Sequence, residues 1–494
     1  MYMLQDKLNP SFAERIIYSS QFRSLQDKTQ LFFPSQKLRV RTRLTHTLEV
    51  KTIAHKIARL LNEKIQYYKD TQTPGAVLLD PVDPELVDAI AYAHDIGHTP
   101  FGHVGERTID AVVSGKDTLG GLNCQSGSPS LVMPKGNPTM RFKHNVNAMR
   151  ILIDLGVRDW RIIDGALSHT KICYKGDTTR YISDPYNPFA NSAYRHMEKA
   201  IFSKNKMDFH AAVKATPSAL TLEGQIVAMA DEIAQRAADL GDATSLARYL
   251  DYILKILDPH LTGVRCPSYA LADPFARVEW SIFTVMTEDA AHNTSRNILL
   301  NPPTQTRING IYHPIYDAKV VDFSAAITGV NKELENLISD LLAQSEEVRE
   351  SDSRAKYIIR QLYKAYLNDV SLLPDSFIEN HLRRIINTAA FRNAYAGRSA
   401  AVRQATDKTF DAIKNQNWHV SINNGKNTLK HVLNMGIVKD YFGIIKNSHT
   451  QGPGGDPNIA LLFDAFLLEV GFYIAGLTNT EAFESYNKIY GHVL

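Results

Sequence analysis

The chain has 494 residues, enough to bury a large core in one lobe or in several smaller ones. Its 55 Lys and Arg against 52 Asp and Glu leave a formal charge of +3, which excludes the global basic field of a dedicated nucleic-acid coat, so any anion site must be local. Three cysteines, Cys124, Cys173 and Cys266, form no CxxC pair; this argues against a disulfide framework and a thiolate zinc site, and fits a reducing cytoplasm.

In chain order, Met1 to Arg15 mixes charged and apolar residues without the basic-then-apolar layout of a signal peptide. Helical periodicity runs over Leu48 to Ile65, just after RTRLTHTLE with Arg43 and His46, and returns at Pro84 to Ile96. Between Ser114 and Thr139 the sequence is crowded with Gly, Ser, Asn and Pro and reads as a long exposed loop, placed to serve as a flap. Helical patterns resume at Asn145 to Leu155, Leu222 to Leu240, which carries Asp231, and Val330 to Leu342. Asn301 to Pro314 and Gln451 to Pro457 read as irregular, and the Gly-Pro-Gly-Gly near Gly452 lacks the Lys-Ser or Lys-Thr of a phosphate loop. Leu461 to Leu477 contains Asp464 and Glu469 and reads as a buried amphipathic helix, not a membrane span, in a soluble protein. Strand signals are sparse throughout, so the expected class is all-α, mainly helical.

The densest run of titratable groups is AHDIGHTPFGHVGE, which puts His94, Asp95, His98, His103 and Glu106 within fourteen residues. His94 and Asp95 follow the apolar run LVDAIAYA and precede Gly97. Neighbouring helical side chains diverge by about 100°, so the pair shares an ion only where that ion sits astride the helix end. Mixed imidazole and carboxylate ligands suit a hard or borderline metal, and further ligands must come from distant segments. His46 and Asp231 are the candidates, although each taken singly reads equally as an ordinary helix histidine or a solvated helix acid. His103 and Glu106, three apart after Pro100, fall on one helical face, either as an acid-base pair or as a surface ion pair. His144 stands at a helix start, where free backbone N–H groups favour anions.

FRSLQDKTQLF (Phe22 to Phe32), RTRLTHTLEV (Arg41 to Val50), AHDIGHTPFGHVGE, FKHNVNAMRIL (Phe142 to Leu152) and ADEIAQRAADL (Ala230 to Leu240) occur in an order that resembles the deoxyguanosine triphosphate triphosphohydrolases and the broader deoxynucleotide triphosphohydrolases of the His-Asp (HD) superfamily. A weaker likeness returns at YIAGLT, Tyr473 to Thr478. The resemblance implies a helical HD-type catalytic core over residues 1–250, interrupted by the loop at 114–139. It also implies a helical region over 251–494 that completes the pocket and joins a homo-oligomer, a hexamer in relatives. The implied reaction is water attack on the α-phosphorus of a deoxynucleoside triphosphate, dGTP foremost, releasing deoxynucleoside and intact triphosphate.

Carried over by the same resemblance, His46, His94, Asp95 and Asp231 are the metal ligands, for Mn²⁺ or Mg²⁺. His103 transfers a proton and Glu106 holds its tautomer. Arg43, His98 and His144 contact phosphates, and Gln30 and Asp239 contact the sugar. Asp231, Gln235 and Asp239 lie at i, i+4 and i+8, one stripe on one helix. Gln235 stands where relatives place a Tyr beneath C2′, Ser168 in LSHTK where they place a Lys, with Lys171 a turn away, and Thr478-Asn479 where they have Thr-Asp. Implied partners are the substrate and a single-stranded DNA or nucleotide effector, with no membrane. Two other readings remain open: an HD phosphohydrolase of another nucleotide, separated by whether triphosphate is released, and a nucleotide- or nucleic-acid-sensing protein using the basic face near Arg383 and Arg384.

Overall fold

The computed structural model describes residues 10–30, 41–120, 141–170, 218–242, 249–308, 311–385, 391, 393 and 457–491. Their regular structure is helical apart from one short hairpin, in keeping with the all-α expectation. They divide into two compact units: one takes the described residues up to Val104 and from Lys143 to Ala355, the other those from Gly105 to Phe142 and from Lys356 onward.

The first unit begins with α1 (Phe12–Ile17) and α2 (Ser20–Ser24), then α3 (Arg43–Asp70) and α4 (Pro84–Ala93). Thr42 and Thr45 form a reciprocal capping box that starts α3. Asp83 caps α4 ahead of Pro84, whose missing N–H costs nothing at that position. Along α3, Val50, Ile53, Ala54, Ile57, Ala58, Leu61 and Ile65 recur at helical spacing and are all buried. After α5 (Gly102–Val113), which crosses into the second unit, come α6 (His144–Asp154), α7 (Trp160–Ser168) and α8 (Leu222–Asp242). The α8 helix packs against α3, α4 and α7, and its buried Ala230, Ala234 and Ala237 let those neighbours approach closely.

Next come α9 (Leu250–Leu257), α10 (Ser268–Ala272) and α11 (Pro274–Leu300), which packs on α3 and α8. The α11 helix escaped the periodicity reading because its buried face includes Ser281, Thr284, Thr287, Thr294 and Ser295, which blur the apolar stripe. The segment expected to be irregular at Asn301 to Pro314 is corrected to an antiparallel hairpin, β1 (Thr304–Ile308) with β2 (Ile311–Ile315), in a register running from Thr304 opposite Ile315 to Ile308 opposite Ile311. Its sequence signal is Asn309-Gly310 between two runs rich in β-branched and aromatic residues. The unit closes with α12 (Ala325–Gln344).

The second unit takes α13 (Glu346–Asn368) from Lys356 on, α14 (Asp375–Ile385), α15 (Pro457–Gly476) and α16 (Asn479–Tyr490). Within it the Arg141 guanidinium grips the buried Asp110 carboxylate with two bonds of 2.9 and 2.8 Å, and the Phe142 amide adds a third at 2.9 Å. From Leu462 to Ala475 α15 is buried nearly all round, Glu469 included, so it is a core helix and not the amphipathic one expected. YIAGLT ends this helix, and Thr478 opens α16 with a capping box to Glu481. In the 114–139 segment only 114–120 are described; there Ser114 and Leu119 are buried and Lys116, Thr118 and Gly120 are exposed. Gly452, Lys171 and the side chains of Arg383 and Arg384 lie outside the described residues. Among the described residues no single helix is long and apolar enough to cross a membrane.

Candidate metal centre

Three backbone arrangements deliver the titratable cluster. At the start of α3 the Arg43 amide donates to the Lys28 carbonyl at 2.9 Å, and His46 follows within the first turn. At the end of α4, His94 keeps helical angles as the C-cap, and its Nδ1–H donates to the Ala91 carbonyl at 2.7 Å, which turns Nε2 away from the helix. The chain then turns through Asp95 to Gly97 and lies directly on α6. A Cβ at Gly97 would stand 2.1 Å from the His144 carbonyl oxygen and 2.3 Å from the Ala148 nitrogen, so only glycine fits. Asn147 Nδ2 donates to the Gly97 carbonyl at 2.9 Å and Lys28 Nζ to the His98 carbonyl at 2.6 Å, locking the turn from both sides. Phe101 and Gly102 both adopt positive φ, 62° and 60°, a strain for Phe101 and an ordinary conformation for Gly102, and the pair launches α5 with His103 in its first turn.

The donor atoms of His46, His94 and Asp231 lie within 4.8 Å of one another, although the three residues come from α3, the end of α4 and α8. His46 Nε2 is 2.9 Å from Asp231 Oδ1. His94 Nε2 is buried and has no hydrogen-bond partner among the described residues, yet stands 3.6 Å from Asp95 Oδ2 and 3.8 Å from Asp231 Oδ1. A lone pair aimed at two carboxylates beyond hydrogen-bonding distance is the arrangement a cation completes. Two imidazoles with carboxylates suit Mn²⁺, Fe²⁺ or Zn²⁺ and admit Mg²⁺ less readily, so the residues present fit a divalent metal.

Asp95 is the hub of the charges. Arg43 Nη1 donates to its Oδ2 at 2.7 Å and His98 Nε2 to its Oδ1 at 3.1 Å. Burial opposes ionisation of Asp95, but His98, Arg43 and His94 together hold its carboxyl well below the usual range. Asp231 is likewise held low: burial acts against it, and the His46 hydrogen bond with the nearby imidazoles outweighs that effect. At His46 burial disfavours the charged form, yet Asp231 raises its pKa, so a proton there occupies the place a cation would take. Burial, Arg43 and His144 push His98 well down, while burial, His94 and His144 push His169 down to about 3. Asp95 and Asp231 are thus held ionised, the state that metal ligation requires of a carboxylate.

Around this centre His98 stacks on His144 with ring centroids 3.7 Å apart, and the half-buried His103 lies 5.3 Å from His98 and 6.2 Å from His144. Glu106 is buried one turn after His103 in the same helix. Arg43, expected against phosphate, contacts Asp95 through Nη1, while its buried Nε and Nη2 have no partner among the described residues. Gln30 is buried with an Oε1 that has no partner among the described residues, and its backbone carbonyl lies 3.1 Å from the Cβ position of Gly102. On α8, Gln235 is half-buried and Asp239 buried. The sequence reading missed Lys28 and His169. His169 caps the C-terminus of α7 after the apolar run IIDGAL, the same signal that singled out His94.

The HD domain family pattern matches residues 43–236, and that of a phosphohydrolase-associated domain matches 321–392. The chain is similar to a deoxyguanosinetriphosphate triphosphohydrolase-like protein of Bartonella tribocorum, 30% identical over 395 residues that cover 75% of this chain and 80% of the relative. A protein of the same name from Rickettsia bellii is 27% identical over 376 residues, covering 73% and 80% of the two chains, and one from Sinorhizobium medicae is 26% identical over 383, covering 74% and 78%.

Proposed function

The chain belongs to the deoxyguanosinetriphosphate triphosphohydrolase-like family of HD-domain phosphohydrolases, and from that premise we propose that it hydrolyses deoxynucleoside triphosphates, dGTP foremost, to deoxynucleoside and inorganic triphosphate. The observation that carries this reading is the convergence of His46, His94 and Asp231 beside Asp95, with the buried Nε2 of His94 facing both carboxylates and bonded to neither. These four side chains would hold a divalent ion, Mn²⁺ or Mg²⁺. When bound, such an ion would supply Lewis-acid polarisation of the α-phosphoryl oxygen and a lowered pKa for the attacking water.

The remaining roles fall to the chain's own groups. Arg43 keeps Nε and Nη2 for a phosphate oxygen while Nη1 holds Asp95, so one guanidinium serves substrate and metal ligand together. His98 and His144 stack beside it as polar walls for the triphosphate, and the burial that keeps His98 neutral makes it a hydrogen-bond partner and not a competing cation. His103 moves the proton at the 5′ oxygen or the water, with Glu106 orienting its ring. Gln30 and Asp239 bind the sugar, and Gln235 sits where 2′ selection is made.

Purified protein supplied with Mn²⁺ should release triphosphate from at least one of the four deoxynucleoside triphosphates, measured by ion chromatography. Release of pyrophosphate or monophosphate instead would assign the site to another phosphoester. Gln235→Tyr should raise the deoxy-to-ribo ratio of kcat/KM; an unchanged ratio would place 2′ reading elsewhere.

A further inference from the structure

We propose, resting on the reading of Arg43 and His98 as phosphate contacts, that Lys28 is a positioning residue for the triphosphate. Its buried ammonium fixes the His98 turn against the start of α3, so that the two phosphate-binding groups meet the substrate at a set spacing. Lys28 is only 2% exposed, and an ammonium is among the costliest side-chain groups to bury. Methionine has nearly the same length and shape without that cost, so filling space does not by itself call for a charge here.

The main chain makes the first attachment. Leu25–Asp27 form a single 3₁₀ turn, and Lys28 ends it with extended angles, φ −120° and ψ 125°, its amide donating to the Leu25 carbonyl at 3.3 Å. Thr29 then pairs with Thr42 in an isolated antiparallel bridge, and the Lys28 carbonyl accepts the Arg43 amide at 2.9 Å. Residues 28–30 are thereby fastened to the start of α3, and with them Gln30. A Cβ at Gly102 would stand 3.1 Å from the Gln30 carbonyl oxygen and 3.4 Å from Arg43 Nη2, so the chain that follows His98 comes back to rest on the same segment.

The side chain makes the second attachment. Lys28 Nζ donates to the His98 carbonyl at 2.6 Å, the short bond of an ionised donor. His98 in turn sets its ring 3.1 Å from Asp95 Oδ1 and stacks it on His144, while Arg43 reaches the other oxygen of Asp95 at 2.7 Å. Lys28 therefore holds Arg43 by its carbonyl and His98 by its ammonium, and the distance between those two phosphate groups is set within one residue. Substituting the side chain leaves the carbonyl bond to Arg43 and the Thr29–Thr42 bridge in place and releases only the His98 turn. The loss then falls on phosphate binding and spares the sugar contacts, Gln30 on the bridged segment and Asp239 on α8.

The test is calorimetric titration of the full chain, in saturating Mn²⁺, with inorganic triphosphate and separately with deoxyguanosine, for the wild type and Lys28→Met. The variant should bind triphosphate about 10- to 100-fold more weakly, the range for losing a hydrogen bond to a charged group, with deoxyguanosine affinity and Mn²⁺ content unchanged. Triphosphate affinity equal to the wild type would overturn the assignment. Equal weakening of both ligands, or loss of Mn²⁺ from the variant, would overturn it as well, since general loosening or damage to the metal centre would then account for the effect. A wild type that binds deoxyguanosine but no triphosphate would overturn the phosphate reading of Arg43 and His98 itself. Lys28→Gln keeps a neutral donor of similar reach and serves if Lys28→Met does not fold: it should show the same selective loss, about 3- to 10-fold, and wild-type triphosphate affinity in it would equally refute the role.

Discussion

Asp164 offers a direct measurement of how the burial of polar groups supports the centre. It lies within α7, fully enclosed, and accepts the Leu220 amide at 2.8 Å and the Ser168 hydroxyl at 3.4 Å. It thereby ties the helix that carries His169 to the segment leading into α8, which carries Asp231. Burial raises its pKa from 3.8 to about 7, and the two hydrogen bonds only partly offset this. The shift of about 3 units corresponds to about 4 kcal/mol at 1.36 kcal/mol per unit. Because the folded-state value is the higher one, the folded chain binds the extra proton between pH 4 and 7. There is no penalty below the unfolded pKa, and stability falls as pH rises through about 7.

Asp164→Asn keeps an acceptor for Leu220 and removes the titration. Urea unfolding of both proteins in chelator at pH 5, 6, 7 and 8 should show the wild type losing stability relative to the variant by about 2.7 kcal/mol, the share of the effect that falls between pH 5 and 7, with the variant the more stable at pH 8. A wild-type-minus-variant difference that stays flat with pH, or that moves in favour of the wild type as pH rises, would refute the reasoning.

Two further outcomes follow from the geometry of the centre. Gly97→Ala puts a methyl group against backbone atoms at 2.1 and 2.3 Å, so it should cost about 1–3 kcal/mol or more and weaken Mn²⁺ binding by displacing the turn that carries Asp95. A wild-type urea midpoint with wild-type affinity would contradict the contact. Asp95→Ala should abolish metal retention, whereas His103→Ala should keep the metal and lose about 10²- to 10⁴-fold in rate. Elemental analysis with single-turnover kinetics separates the two, and equal metal loss in both variants would refute the division of labour.

Much of the helical scaffold is legible from local pattern because its helices bury clean apolar faces: α3, α4, α6 and α8 all lie where the 3.6-residue period announces them. Reading failed where burial and pattern part company. In α11 buried hydroxyl residues dilute the stripe, and α15 is apolar on every side, so it carries no amphipathic period. The hairpin at Thr304–Ile308 and Ile311–Ile315 was lost because Pro and Asn around it read as breakers.

For the candidate centre, the sequence by itself determined the identity of the ligand types and the local device at the end of α4, an imidazole and a carboxylate after an apolar run and before a glycine; that no other residue fits at Gly97 follows from its contact with α6. Only the tertiary structure decided that His46 and Asp231, 185 positions apart, meet at 2.9 Å, that Arg43 turns one nitrogen to Asp95, and that His169 comes opposite His144. The reason is physical. Helical spacing governs neighbours within a turn or two, whereas the meeting of the start of α3, the end of α4 and the middle of α8 depends on how their buried faces pack, and no short stretch of chain contains that information.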